Sequence, residues 1–159
     1  MKDLAQRVIK KIGRDIIAAF TKRRKNRILI MQESASGSNS YALWQFANED
    51  VKRKYDLILR QESTPNSLAD FLKKHRLLSS AQVIITTHAS YKPSKKHIHI
   101  QLWHGALIKK NGVMEIGALS RFKPPKSWQQ VDYIMSYSET YTTFVNACMV
   151  TDPSKYIIT

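Results

Sequence analysis

Residues 27–40 are Arg-Ile-Leu-Ile-Met-Gln-Glu-Ser-Ala-Ser-Gly-Ser-Asn-Ser, and the predicted fold starts from this stretch. Its first six residues contain an unbroken apolar run, which is typical of a strand buried on both faces of a sheet. The serine-rich residues that follow are small and polar, and they predict a loop. The stretch therefore predicts a buried strand that opens into a polar loop.

The same kind of unit recurs along the chain, where short apolar runs alternate with segments of helical spacing. Ser67 followed three residues later by Asp70 is a helix-start pattern. The predicted strands are 27–32, 55–60, 81–87, 97–103 and 131–136, and the predicted helices are 41–50, 67–78 and 139–150. Residues 156–159 resemble the beginning of a further strand. Because strands that alternate with helices pair in parallel, we predict an α/β fold with a Rossmann-like parallel sheet flanked by helices.

The residues that directly follow the predicted strands are the first candidates for a functional site. Open α/β sheets bind ligands beyond the carboxyl ends of their strands. In this sequence those positions are 33–39, 88, 104–105 and 136–138. We therefore expect these segments to meet at one edge of the sheet.

The N-terminal segment has a basic, amphipathic pattern. Apolar residues recur at three- and four-residue spacing from Leu4 to Phe20, which predicts a helix with an apolar face. Residues 1–27 contain ten basic and two acidic residues, a net charge of +8, and the other 132 residues carry the remaining +6 of the total of +14. We divide the chain into this helix, 1–26, and a Rossmann-like domain, 27–159.

A helix of this kind inserts its apolar face at the headgroup boundary while its cations meet anionic lipid. Packing on a partner domain is an equally supported alternative. A nucleic-acid arm would not need so strong an apolar face, so no nucleic acid is expected. The predicted contacts with an anionic membrane surface are Lys10, Lys11, Arg14, Lys22, Arg23 and Arg24.

Composition narrows the class of protein further. The net charge of +14 favours phosphate-rich partners, namely nucleic acid, an anionic membrane or an anionic polymer. The single cysteine, Cys148, has no partner for an internal disulfide, which fits a reducing compartment. The sequence has no apolar run of about 18 residues, so we expect a chain that neither spans a membrane nor is exported.

His104 is the candidate catalytic residue, since it follows the predicted strand 97–103. A histidine at a strand end is held firmly and exposed to substrate, and its neutral imidazole takes up protons near physiological pH. A histidine that only bonds the backbone there is the alternative, and chemistry alone favours that alternative.

A metal site is a second interpretation of the histidines. His97 and His99 form a His-x-His pair, with His88 before it. However, the alternation with isoleucine is also what a strand with one polar face shows. No carboxylate or second cysteine lies nearby in sequence, so we expect no metal.

The segment Gln101-Leu-Trp-His-Gly-Ala-Leu-Ile-Lys-Lys-Asn-Gly112 resembles the Gln-x-Trp-His-Gly-x-x-x-Lys-Lys-x-Gly segment of the CDP-glycerol:poly(glycerophosphate) glycerophosphotransferases. The loop with Glu33, Ser34 and Gly37 resembles that family's Glu-Ser/Phe-x-x-Gly loop. The strands at 81–86 and 132–138 also resemble family strands in order. Ala106 and Leu107 depart from the family, which often has Thr-Pro there.

The resemblance implies a GT-B architecture of two Rossmann-like domains, of which this chain is the acceptor-side half. It implies transfer of glycerol phosphate, or a related polyol phosphate, from a CDP-activated donor to a lipid-linked polyanionic acceptor of teichoic acid synthesis in bacteria. It implies that the reaction takes place at the cytoplasmic face of the cell membrane, with the protein peripherally bound. It implies no cofactor.

The resemblance also assigns roles to individual residues. His104 becomes the catalytic base, and Lys110 a contact for phosphate or acceptor. The substrate-binding residues implied are Trp103, Gly105, Lys110, Glu33 and Gly37. Because the family's donor pocket lies mainly in the second domain, we expect these 159 residues alone to be inactive.

Two other functions remain open at this point. The first is a non-catalytic module that binds anionic membrane or polymer. The second is a basic α/β domain that binds nucleic acid.

Overall fold

A computed structural model of the chain describes residues 2–32, 39–87, 92–103 and 126–159. The helices are α1 (Lys2–Phe20), α2 (Asn39–Gln45), α3 (Glu49–Lys54), α4 (Leu68–Ser80), α5 (Lys126–Gln129) and α6 (Glu139–Met149). The strands are β1 (Arg27–Gln32), β2 (Asp56–Gln61), β3 (Val83–Thr86), β4 (Ile98–Gln101), β5 (Tyr133–Ser136) and β6 (Tyr156–Ile158). A 3₁₀ turn at Pro153–Lys155 leads into β6.

The described strands form one six-stranded sheet in the order β2-β1-β3-β4-β5-β6. Every neighbouring pair is parallel. The prediction of a Rossmann-like parallel sheet flanked by helices is therefore confirmed. The final residues do form a strand, β6, which pairs with β5.

The buried strands have the apolar composition that a sheet covered on both faces requires. Leu29, Ile84 and Ile134 are completely buried in neighbouring parts of the sheet. One core cluster joins β1 and β3 to Leu78 of α4, and a second joins β5 to α6. Connections between parallel strands are right-handed, and the chain crosses the sheet in one direction from β1 to β2 and in the other from β2 to β3. The helices that connect β1 to β2, α2 and α3, are therefore expected on the face of the sheet opposite α4.

The predicted N-terminal amphipathic helix is confirmed as α1, and it lies along α4. Gly13 lies against α4, and a Cβ at this position would be in ordinary van der Waals contact with the Phe71 ring, at 3.5 Å. Ile17, one turn further along α1, is buried. Arg27, the first residue of β1, donates to the Asp56 carboxylate of β2 at 2.8 Å and to Ser80 Oγ of α4 at 2.8 Å, and so joins these three elements.

The predicted helix over 41–50 is wrong in its extent. The chain forms α2 and then α3, and Asn48 caps α3 by accepting a hydrogen bond from the Asp50 amide at 2.8 Å. Glu49 and Asp50 in the first turn stabilise the new helix start. Strand β1 has its predicted bounds, and β2 is shifted by one residue. The other three predicted strands are shorter than expected, with β3 ending at Thr86, β4 at Gln101 and β5 beginning only at Tyr133.

Candidate active site at the carboxyl edge of the sheet

The strand order creates a switch point between β1 and β3. From β1 the chain crosses to β2 on one side, and from β2 it returns to β3 on the other. A crevice forms at such a point beyond the carboxyl ends of the strands. Glu33 and Gly37 follow β1 in the chain, and His88 follows β3, but all three lie outside the described residues.

The backbone turns sharply at Trp103, directly after β4. Its φ of 61° is in the left-handed region, which bulky residues rarely adopt. The Trp103 side chain is only 5% exposed and stacks edge-on against Trp128, with ring centroids 5.0 Å apart. Such a conformation persists only where its surroundings hold it, and it occurs most often at functional sites.

Two polar side chains fix this turn. Asn39 Nδ2 donates to the Trp103 carbonyl at 2.9 Å and to the Tyr137 hydroxyl at 3.0 Å. Gln101 Oε1 accepts from the Trp103 amide at 3.1 Å. Asn39 therefore joins the segments that follow β1, β4 and β5, as the strand-end rule predicts.

Gln101 is completely buried at the end of β4. Its side-chain oxygen serves the turn, whereas its Nε2 has no hydrogen-bond partner among the described residues. A buried donor without a partner is costly, by about 1–3 kcal/mol. Gln101 thus places a buried amide donor, unpartnered within the described ranges, three residues before His104 in the sequence.

A second polar network surrounds His99, which lies two residues before Gln101 in β4. His99 Nε2 lies 2.9 Å from Thr86 Oγ1, and its amide donates to Asp132 Oδ2 at 2.7 Å. Lys92 pairs with the same carboxylate at 2.5 Å. Burial and the nearby Lys92 lower the pKa of His99 to about 4, against the opposing influence of Asp132. His99 is consequently neutral at physiological pH and ties β3, β4 and β5 together.

The other described histidine of the predicted metal pair also has structural partners. His97 Nε2 lies 3.1 Å from the Ser79 carbonyl, and its Nδ1 lies 2.9 Å from Ser94 Oγ. Within the described ranges, no group of three His, Cys, Asp or Glu side chains is arranged to hold a metal ion. His88 and His104 fall outside those ranges.

Tyr137 and Tyr141 line the β5 end of this edge. Their ring centroids are 5.0 Å apart, and Ser138 caps α6 by accepting from the Tyr141 amide at 3.1 Å. Burial, with a smaller contribution from Tyr137, raises the pKa of Tyr141 to about 12. Tyr141 therefore keeps its phenolic proton across the physiological range.

Most of the substrate contacts implied by the family resemblance cannot be placed. His104, Gly105, Lys110, Glu33 and Gly37 all lie outside the described residues. Trp103 is described, and its ring belongs to the hydrophobic core. The sequence did not single out Asn39, although it lies in the predicted strand-end segment 33–39.

The predicted membrane-contact residues surround α1. Lys11 is exposed and pairs with Asp15 at 3.2 Å, and Arg23 donates to the Lys96 carbonyl. Lys10 and Arg14 line a cavity against α4, whereas Lys22 and Arg24 line an open groove of about 780 Å³. That groove also contains Arg27, Lys73 and Arg76, and none of its described lining residues is a carboxylate.

The same helix exposes a row of apolar side chains, which we term the α1 stripe. It consists of Val8, Ile9, Ile12, Ile16 and Phe20, which are 47–87% exposed. Two of its members also border α4: Ile9 lines the cavity, and Phe20 lines the groove. Among the described residues, no helix is long and apolar enough to cross a membrane.

Comparison with known proteins adds to this geometry. The sequence model of one family, CDP-glycerol:poly(glycerophosphate) glycerophosphotransferase, matches residues 17–159. No curated protein sequence matches the chain.

Solved structures of the wall teichoic acid polymerase TagF share the fold. A histidine-to-alanine variant superposes with a TM-score of 0.68 at 12% identity, covering 98% of this chain and 44% of that one. A histidine-to-asparagine variant soaked with CDPG for 15 minutes has a TM-score of 0.69 at 12% identity, with the same 98% and 44% coverage. This chain thus spans less than half the length of those structures, and the low identity supports a shared fold alone.

Proposed function

This chain belongs to the CDP-glycerol:poly(glycerophosphate) glycerophosphotransferase family, and from that premise we propose that it supplies the acceptor-side half of a glycerophosphotransferase. The donor is CDP-glycerol or a related CDP-activated polyol, and the acceptor is a lipid-linked teichoic acid or polysaccharide. The CDPG soaked into a structurally similar teichoic acid polymerase supports the choice of donor. A second Rossmann-like domain would provide most of the donor pocket.

The proposed chemistry is transfer of glycerol phosphate to a hydroxyl group. The acceptor's terminal hydroxyl oxygen attacks the β-phosphorus of the donor, which carries the glycerol. The bond from that phosphorus to the bridging oxygen breaks, and CMP leaves. His104 takes the proton from the attacking hydroxyl, and its side chain acts as a general base. Positioning and charge stabilisation supply most of the rate in such transfers.

The observation that carries this proposal is the held turn at Trp103. Asn39, Gln101 and the Trp128 ring fix the residue that immediately precedes His104. A catalytic side chain needs its supporting backbone fixed to within about 0.5 Å. In this proposal the strained turn fixes the backbone from which the segment beginning at His104 continues.

The remaining contacts follow from the family resemblance. Lys110 would stabilise negative charge on the transferring phosphoryl group or on the acceptor. Glu33, Gly37, Gly105 and the Trp103 backbone would line the acceptor side of the crevice. The division into a helix at 1–26 and a Rossmann-like domain at 27–159 belongs to the same proposal.

We further propose that α1 binds the cytoplasmic face of the cell membrane. The α1 stripe would enter the headgroup boundary, and Lys22 and Arg24 in the groove would meet lipid phosphates. A peripheral location would bring the crevice to a lipid-linked acceptor.

The enzyme proposal is tested by measuring CMP release with the protein expressed from its complete reading frame. We expect CMP to form from CDP-glycerol only when a lipid-linked glycerophosphate acceptor is present. Absence of both turnover and CDP-glycerol binding would favour the non-catalytic interaction module. Salt-sensitive binding to nucleic acid, without binding to anionic liposomes, would favour the nucleic-acid alternative.

A further inference from the structure

A second cavity lies between α1 and α4, away from the crevice beside β4. Its volume is about 790 Å³, which is in the usual range for a small-molecule site. The loop after β2 forms one side of the cavity. Because this loop follows the carboxyl end of its strand, the cavity lies at the carboxyl edge of the sheet. The strand of the cavity wall nearest to β4 is β1, which contributes Met31 and is two strands from β4, or about 10 Å at the usual strand spacing.

Cationic side chains dominate the charge of this cavity. Lys10 and Arg14 enter from α1, and Lys74 enters from α4. Glu62 is the single carboxylate in the described lining, and its contact with Lys74 is 3.7 Å long. Among the described lining residues, cations therefore outnumber carboxylates by three to one.

His75 reports the effect of that charge. It is 7% exposed, and its ring lies 4.4 Å from the Phe71 ring. Burial, followed by Arg14, Lys74 and Arg60, lowers the pKa of His75 to about 4. Arg60 faces this region from β2, and its Nε has no hydrogen-bond partner within the described part of the chain.

The rest of the cavity wall is apolar. Met31, Phe71 and Leu78 line it from β1 and α4. Ile9 and Leu68 stand at the opening, 70% and 73% exposed. The start of α4 also faces the cavity, where Ser67 caps the helix by accepting from the Asp70 amide at 3.1 Å. A helix N-terminus favours negative charge.

We propose that this cavity binds a phosphate group carried on an apolar chain, with Arg14 and Lys74 on the phosphate and Phe71 and Leu78 against the chain. Binding in this cavity does not require the proposed transfer at His104. A membrane phospholipid and a soluble lipid phosphate share this chemistry.

The ligand class is tested with hexyl phosphate, which is soluble, and with inorganic phosphate and hexanol as its two halves. Binding to the purified chain is measured by calorimetry. We expect hexyl phosphate to bind at least about tenfold more tightly than either half, because charged hydrogen bonds and apolar burial each contribute more than 1.4 kcal/mol. Equal binding of hexanol, or of inorganic phosphate, would overturn the proposal.

The location is tested with R14Q and K74Q, each expected to weaken hexyl phosphate binding about tenfold or more. The matched control is K11Q, which removes the same charge from the exposed side of α1. Equal weakening by K11Q would reduce the effect to general electrostatics and contradict the site. If R14Q does not fold, K74Q carries the comparison, because the Lys74 ammonium has only a 3.7 Å contact with Glu62 and one hydrogen bond to the Ser63 carbonyl, so its removal disturbs few contacts.

A second readout is the titration of His75, followed by NMR. A bound anion offsets Arg14, Lys74 and Arg60, so saturating hexyl phosphate should raise the pKa of His75 by at least about one unit. An unchanged His75 titration at saturation would place the ligand elsewhere.

Vesicles distinguish the two sources. If hexyl phosphate displaces the chain from phosphatidylglycerol vesicles and R14Q weakens vesicle binding, a membrane phospholipid is the natural occupant. If hexyl phosphate binds in the cavity without affecting vesicle binding, the occupant is a soluble lipid phosphate. Both results support the site.

Discussion

At the scale of single residues, the described part of the candidate site is organised around one strained position. Trp103 adopts a left-handed backbone conformation that its buried ring, Gln101 and Asn39 maintain together. Asn39 connects to it from 64 residues away and also reaches Tyr137. These contacts hold the end of β4 where the proposed base follows.

Asn39 offers a direct test of that arrangement. N39D keeps the side-chain shape but removes the Nδ2 donor and places a negative charge beside the Trp103 carbonyl. We expect kcat for glycerol phosphate transfer to fall about tenfold, because small displacements of a catalytic group are costly, with little change in the KM for the donor. Urea unfolding should show a stability loss of about 1–3 kcal/mol. Unchanged kcat would show that the turn does not position the catalytic segment.

The buried histidines predict how stability depends on pH. Both His99 and His75 have a pKa of about 4 in the folded chain, below the ordinary value of 6.5. Between these two pKa values the unfolded chain therefore binds more protons than the folded chain. The contribution of the two histidines to the free energy of unfolding is fully present above pH 6.5 and decreases as the pH falls toward 4.

For His99 alone the expected loss between pH 7 and pH 5 is about 2 kcal/mol in the free energy of unfolding. Urea titrations at the two pH values measure it. H99Q retains a partner for Thr86 and should remove about that much of the pH dependence. A wild-type stability that is the same at both pH values would contradict the buried, neutral state of these rings.

Sequence reasoning reached the site only in part at this scale. The strand-end rule indicated the segments that contain Asn39, Trp103 and Tyr137, since parallel strands bring their carboxyl ends to one edge. It did not predict their hydrogen bonds, because a left-handed tryptophan has no local sequence signature. Trp103 depends on distant partners, Trp128 and Asn39, which only the tertiary structure identifies.

At the scale of elements, α1 separates two functions on two of its faces. Gly13 lies against Phe71 of α4 and Ile17 is buried, whereas the side chains of the α1 stripe remain largely exposed. A contiguous exposed apolar surface of this kind marks a membrane or protein contact. The packing on α4 leaves the stripe uncovered, so packing within the described chain does not account for it.

Replacing Ile12 and Ile16 by Glu tests the membrane contact. Each exposed isoleucine that inserts into the headgroup boundary contributes about 1.5–3 kcal/mol, so the double variant should bind phosphatidylglycerol vesicles at least about tenfold more weakly in co-sedimentation. V51E, on α3, is the matched control because Val51 is also exposed and apolar. Full vesicle binding by the double variant would instead indicate that the stripe meets a protein.

The elements themselves were largely predictable from local pattern. The apolar runs at 28–31 and 83–85 form strands because they fill the centre of a sheet covered on both faces. The break between α2 and α3 was missed, although Asn48 followed by Glu49 and Asp50 is a helix-start signal. The four-residue α5 is too short to produce a periodic pattern.

At the scale of the whole molecule, the sheet brings two candidate sites to one edge. The crevice near β4 lies beside the switch point. The cationic cavity lies between α1 and α4, next to the loop that follows β2. The family match covers residues 17–159, yet this chain spans 44% of a TagF structure with the same fold. In the proposed function, this chain supplies one wall of a transferase cleft, and a second domain supplies the donor wall.

The most direct measurement is the single-turnover rate of CMP release from CDP-glycerol by the protein expressed from its complete reading frame, with and without H104Q. Glutamine approximates the size of histidine but cannot accept the proton of the acceptor hydroxyl. The account predicts a rate about 10²–10⁴-fold lower in the variant, with CDP-glycerol binding retained. A variant that releases CMP at the wild-type rate would contradict the proposal that this chain provides the catalytic base of a glycerophosphotransferase.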